Sequence, residues 1–232
     1  MPENLYFRQP ATQRMLLDIL FVWAKLNPDC GYRQGMHELL APVLWVVERD
    51  AVDPDSLASS SPAGGDGDDA LVRDLFDVAF VEHDTFTLFG LVMQNAKAFY
   101  ESSEPPRGSK SSLKGPSEDN DSPILQRCKR IFGHYLPLVD PALAAHLREI
   151  EVLPQIFLMR WIRLLYGREF PFDDTLQLWD LLFAQDPSLD LVDLICVAML
   201  LRIRWSREFL SPSSNHLPSS DLLGRTQYSN SH

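Results

Sequence analysis

Apolar residues in this chain recur at the spacing of an α-helix, and that periodicity constrains the fold more than any other feature. Between about Thr12 and Leu26, Leu16, Ile19, Leu20 and Trp23 share one helical face, and Pro28 ends the run. A second run begins near Gln34 and carries Met36, Leu39, Leu40, Val43, Leu44 and Val47. Pro42 inside it removes one backbone donor and is expected to kink the helix. The pattern predicts further helices at 70–82, 84–101, 124–136, 140–149, 154–166, 173–185 and 188–206. Asp84, Asp140 and Asp173 are the expected N-caps, with Pro141 suited to a first helical position. No stretch alternates with period two between hairpin turns. The expected fold class is all-α.

Two segments interrupt the pattern: AVDPDSLASSSPAGGDGDD at 51–69 and SSEPPRGSKSSLKGPSEDNDSP at 102–123. Neither has enough apolar surface to offset the entropy of ordering the chain, so both read as flexible, disordered insertions. The Ser- and Asn-rich tail at 211–232 reads as disordered for the same reason. The remainder has ordinary globular composition, and 232 residues fit a single domain. With 32 acidic against 21 basic residues the formal charge is −11, which excludes a chain that wraps nucleic acid or coats an anionic membrane. No apolar run approaches the roughly 18 residues of a membrane span, and no basic-then-apolar leader opens the sequence. The three cysteines, at 30, 128 and 196, make neither a disulfide framework nor a metal cluster. They point to a reducing compartment, and the expectation is a soluble intracellular chain.

Few residues suggest chemistry of their own. Cys30 and His37 are seven positions apart, but a nucleophile also needs contact with its base and a third, orienting group. None of the six histidines falls at metal-ligand spacing with a cysteine or another histidine. No glycine-rich phosphate loop occurs. Two stretches differ from this background. In NPDCGYRQGMHELLAPVLWVV (27–47) a Tyr-x-Gln-Gly step, Tyr32, Gln34 and Gly35, stands where a loop enters a helix. In LMRWIRLLYGREFPFDDTLQLWDLLF (158–183), Arg160-Trp161 is followed by Glu169-Phe170 and then Trp179-Asp180.

In this order and at this distance, the two stretches resemble the TBC domain, the helical module of Rab GTPase-activating proteins. The continuation MHELLAP is most similar to the branch of the fifth human TBC family member, which is associated with endosomal sorting and retromer. The resemblance implies that Gln34 is a glutamine finger supplied in trans to a Rab. Tyr32 would brace its loop, Gly35 permit close backbone approach, and Met36 anchor the loop in the core. Trp161, Trp179 and Asp180 would be structural, as would Arg160, paired with an acid such as Asp180 or Glu169 in the core. Mg²⁺ and GTP would belong to the GTPase, with no cofactor or metal held by this chain. It also implies a cytoplasmic protein, peripheral on endosomal membranes through its partners. The family's second finger is an arginine in an Ile-x-x-Asp-x-x-Arg motif. Arg8 and Arg14 do not match it, since Leu5 and Ala11 stand three residues before them. The expectation is therefore a TBC domain over 1–210 that lacks the arginine-finger segment and the last helices. Three functions stay open at this point: a GTPase activator, a catalytically impaired Rab- or trafficking-complex-binding module, and a helical scaffold unrelated to GTPases.

Overall fold

The structure, a computed structural model, describes residues 5–53, 71–72, 74–101 and 121–210. Only the margins of the expected insertions at 51–69 and 102–123 fall within these residues, and the tail at 211–232 lies outside them. The helices are α1 (Pro10–Leu26), α2 (Met36–Asp50), α3 (Val81–Ala96), α4 (Pro123–Arg130), α5 (Leu136–Val139), α6 (Pro141–Glu149), α7 (Gln155–Arg163), α8 (Phe172–Gln185) and α9 (Leu191–Leu210). Among the described residues the only β pairing is one isolated bridge, between Val52 and Asp77. The domain is all-α, as the periodicity predicts.

Helix α1 buries Ile19, Leu20 and Trp23, three of the four residues of its predicted face, against α2 and α3. Helix α2 continues through Pro42, whose ring is buried, and packs along α3. The α7 residues Leu158, Trp161 and Ile162 meet α4 and α9 on the other side of a single core. A buried carboxylate fastens that side. Asp193 in the first turn of α9 accepts from Arg127 Nε at 2.7 Å and from Arg130 Nη2 and Nε at 2.6 and 3.0 Å. A planar guanidinium suits a carboxylate held this way, because each supplies several fixed hydrogen-bonding sites.

Several local expectations need correction. The helix predicted at 70–82 breaks at Phe76, because Asp77 is extended and its carboxylate accepts from Ala79 N at 2.8 Å, capping a short 3₁₀ turn at Val78–Phe80. Helix α3 consequently starts at Val81, so Asp84 lies in its first turn rather than at its N-cap. Asp173 is likewise a first-turn residue of α8, where its charge still favours the helix N-terminus. Asp140, by contrast, caps α6 by accepting from Leu143 N at 2.9 Å, with Pro141 at the first helical position. The run predicted at 124–136 widens into a π turn at Ile131–Tyr135. Pro137, just beyond it, has no N–H to donate back and its ring crowds the preceding turn, which a wider turn relieves.

One further correction positions the site. Helix α7 ends at Arg163, not at 166, and the connector to α8 passes through Leu165 (φ 41°) and Tyr166 (φ 65°), both left-handed without being glycine. Such residues persist only where their surroundings over-determine them. Here Tyr166 N closes on Trp161 O at 2.9 Å, Trp179 Nε1 donates to Leu165 O at 2.8 Å, and the buried Tyr166 hydroxyl donates to Val192 O at 2.6 Å.

Candidate functional site

The loop between α1 and α2 delivers Gln34 to the surface. Asn27 O receives Cys30 N and Gly31 N at 3.2 and 2.7 Å, which curls the chain after α1. Gly35 then serves as the N-cap of α2 with φ 106° and ψ −24°, a conformation that L side chains rarely adopt. A Cβ on Gly35 would stand 3.0 Å from Leu164 Cδ2 and 3.6 Å from Tyr100 Cε1 and Oη, so the loop backbone lies directly against the α7–α8 connector. Gln34 is exposed and Met36 fully buried, so the chain passes from surface to core within three residues.

Gln34 lines an open groove of about 410 Å³, whose other walls include Glu38 of α2, Ile156, Met159, Arg160 and Arg163 of α7, and Arg168 of the connector. Two bidentate ion pairs frame it. Arg168 Nε and Nη2 each donate to Glu38 at 2.6 Å, while Arg160 Nε and Nη2 donate to Glu169 at 2.8 and 3.1 Å. Hydrogen bonding to Glu38 raises the Arg168 pKa further. Arg163 donates from Nε to Phe99 O at 2.9 Å, and its own carbonyl accepts from the Tyr100 hydroxyl at 2.7 Å. Three arginines thus line one groove on a chain whose formal charge is −11.

The structure brings together only some of the residues singled out from the sequence. Gln34, Gly35 and Arg160 share the groove. Tyr32 is half exposed, and its hydroxyl shares a hydrogen bond of 3.0 Å with His37 Nδ1. Burial, with the nearby Glu38 charge, raises the Tyr32 pKa. Met36 Sδ accepts from Arg33 N at 3.2 Å across the turn. Arg160 takes Glu169 as its partner at the surface rather than pairing in the core, because it lies on the solvent side of α7. Trp161 packs against Phe157 with ring centroids 5.0 Å apart, and its Nε1 is buried without a partner among the described residues. Trp179 is buried, whereas Asp180 is exposed and lines a different, apolar groove of about 490 Å³ between α2, α3 and α8. Cys30 is buried, which pushes its thiol pKa up, and His37 turns Nδ1 to Tyr32, so the two do not read as a nucleophile and its base. Among the described residues no three His, Cys, Asp or Glu side chains converge as a metal site, and no helix is long and apolar enough to cross a membrane.

Sequence reasoning missed Glu38, Arg163 and Arg168. Glu38 carries a readable signal only in part, as an acidic residue in the first turn of the helix that the Gln-Gly step opens. Arg168 carries none, since its partner is 130 residues away.

Comparison with known proteins supplies the family. The sequence profile of the Rab-GTPase-TBC domain matches residues 1–208. Human TBC1 domain family member 5 is 36% identical over 211 residues, which cover 88% of this chain and 26% of that protein. The Dictyostelium discoideum protein TBC1 domain family member 5 homolog B is 28% identical over 88% of the chain and 28% of its own length. Human TBC1 domain family member 13 is 30% identical over 80% of the chain and 38% of its own length. The chain therefore spans about a quarter to two fifths of these relatives. The crystal structure of the YPT/RAB-GAP domain of Gyp1p superposes with a TM-score of 0.62 at 22% identity, covering 88% of this chain and 56% of that one, which shows a shared fold. On that profile match and these relatives, the chain belongs to the Rab-GTPase-TBC domain family.

Proposed function

We propose that this chain accelerates GTP hydrolysis by a Rab-family small GTPase, with Gln34 reaching the nucleotide that the partner holds. The observation that carries the proposal is the exposure of Gln34 at an arginine-lined groove, on a loop whose next residues are locked into the core. Phosphoryl transfer asks a protein chiefly for positioning and for relief of charge on the phosphate oxygens. A carboxamide offers an acceptor oxygen and two donor hydrogens. Gln34 can therefore accept from the attacking water while donating toward the γ-phosphate. Mg²⁺ and GTP stay with the GTPase.

The likeness to member 5, with MHELLAP in the finger helix, extends the proposal to vesicle trafficking at endosomes, with recruitment through a sorting complex such as retromer. Co-precipitation of the chain with retromer subunits checks that part.

Single-turnover hydrolysis by a panel of GTP-loaded Rabs tests the activity. Gln34→Ala removes an interaction made only in the transition state, so the maximal rate falls by about 10²–10³-fold while Rab affinity holds. A Gln34→Ala chain that folds and stimulates as well as the parent refutes the assignment of the finger. Unchanged hydrolysis by every Rab, with binding retained, supports instead a non-catalytic binding module.

A further inference from the structure

The two signature stretches meet at the backbone of the finger loop. A Cβ on Gly35 would press on Leu164 at 3.0 Å and touch Tyr100 at 3.6 Å, and the connector that carries Leu164 also carries Arg168. Arg168 grips Glu38 through two hydrogen bonds of 2.6 Å. Glu38 lies in the first turn of α2, and its N–H donates to Gly35 O at 2.9 Å, so its turn follows directly on Gln34. The connector is the rigid partner in this contact. Its left-handed Leu165 and Tyr166 are held by Trp179 and by the Tyr166 hydroxyl bond to Val192. The Arg168 side chain is 57% exposed, so water competes for the pair and its contribution to global stability is small. The pair still fixes the relative position of two elements 130 residues apart, at the mouth of the groove.

We infer that Glu38 and Arg168 form a positioning clamp that holds Gln34 in its catalytic pose, an inference that rests on the reading of Gln34 as the finger. Neither residue touches the reacting atoms. Arg168 tethers the first turn of α2 to the connector, and the tether sets where the carboxamide stands. A displacement of about 1 Å at a catalytic group costs on the order of 10²-fold in rate. Losing the clamp therefore slows hydrolysis while leaving folding and the docking surface in place. Lysine at 168 is a poor substitute, because a single ammonium cannot reproduce the two-pronged contact.

A double-mutant cycle between Arg168→Ala and Gln34→Ala tests the clamp. Maximal single-turnover rate and affinity for the GTPase bound to a non-hydrolysable GTP analogue are measured in parallel. Arg168→Ala is expected to lower the rate about 10–100-fold with affinity and urea midpoint little changed. Arg168→Lys should recover only part of the loss, and the swap Glu38→Arg with Arg168→Glu should recover more than either single change. On the Gln34→Ala background, Arg168→Ala should cost almost nothing further. Full additivity in that cycle, or rate and affinity falling together, overturns the inference. Amide hydrogen exchange reads the clamp without any GTPase. Arg168→Ala should speed exchange in residues 33–38 at least about tenfold while α9 is unaffected. Unchanged exchange there overturns the clamp, whereas faster exchange in a chain on which Gln34→Ala costs no rate keeps the tether and refutes only the finger.

Discussion

Gly35→Ala puts the architecture of the α1–α2 loop to a quantitative test. At φ 106° and ψ −24° the backbone lies outside the wells that an L residue occupies readily, which costs about 1–2 kcal/mol once a Cβ is present. That Cβ would also stand 3.0 Å from Leu164 Cδ2, tighter than most carbon contacts, so Leu164 must give way by a few tenths of an ångström. Leu164 is 7% exposed and belongs to the connector pinned by Trp179, so it has little room to retreat. Overpacking at such a site adds about 1–3 kcal/mol. The two effects share one backbone adjustment and are not fully additive, leaving an expected loss of about 2–4 kcal/mol. Against a total stability on the order of 5–15 kcal/mol, that is a large fraction. Gly90→Ala supplies the control, because Gly90 lies within α3 and a Cβ there meets nothing within 4 Å. It should stabilise the chain by about 0.5–1 kcal/mol. Urea unfolding followed by circular dichroism reads both, with the slope against denaturant required to stay constant. A Gly35→Ala loss below about 1 kcal/mol, or equal losses at the two glycines, would show that the close approach of loop and connector is wrong.

Two further outcomes follow from the charges. Asp193→Ala leaves the Arg127 guanidinium, whose side chain is only 13% exposed, without its main anion, while the half-exposed Arg130 recovers by turning to water. The cost is expected at about 3 kcal/mol, the lower end for a buried pair that loses one partner, and a shift under about 1 kcal/mol in urea unfolding would refute it. In acid, the Leu143 N–H and then Arg204 hold the Asp140 carboxyl below its usual 3.8, and the Leu191 N–H and then Ser188 do the same for Asp186. Carboxyls depressed in the folded state stabilise it fully above their unfolded values, and that contribution fades as pH falls through the folded ones. Stability should therefore drop below about pH 4, and Asp140→Asn with Asp186→Asn should flatten the drop. An unchanged acid limb in a pH series of thermal melts would refute that account.

Much of the helical skeleton is legible because its signals are local. The face of α1, the start of α2 after Gly35, and the Asp140-Pro141 entry to α6 each depend on residues within one or two turns. The departures arise where a distant partner outweighs local preference. Asp77 leaves the predicted helix while its backbone pairs with Val52 across an insertion. Leu165 and Tyr166 adopt left-handed angles that their residue types disfavour, because Trp179 and Val192 hold what they present. The site divides in the same way. Gln34, Gly35 and Met36 declare themselves as a loop entering a helix, whereas the pairing of Arg160 with Glu169 and not Asp180 depends on which side of α7 and α8 each faces.

Sequence alone determined that this chain is a set of amphipathic helices, that a flexible-backbone glycine precedes the second of them, and that a polar carboxamide stands just before it. Those properties depend on the period of apolar side chains and on the angles available to single residues, both encoded within a few positions. The tertiary structure decided that Arg168 meets Glu38 and that the connector closes against Gly35. Hydrogen bonds and steric contacts depend on distance through space, and 130 residues of intervening chain carry no local pattern that specifies it.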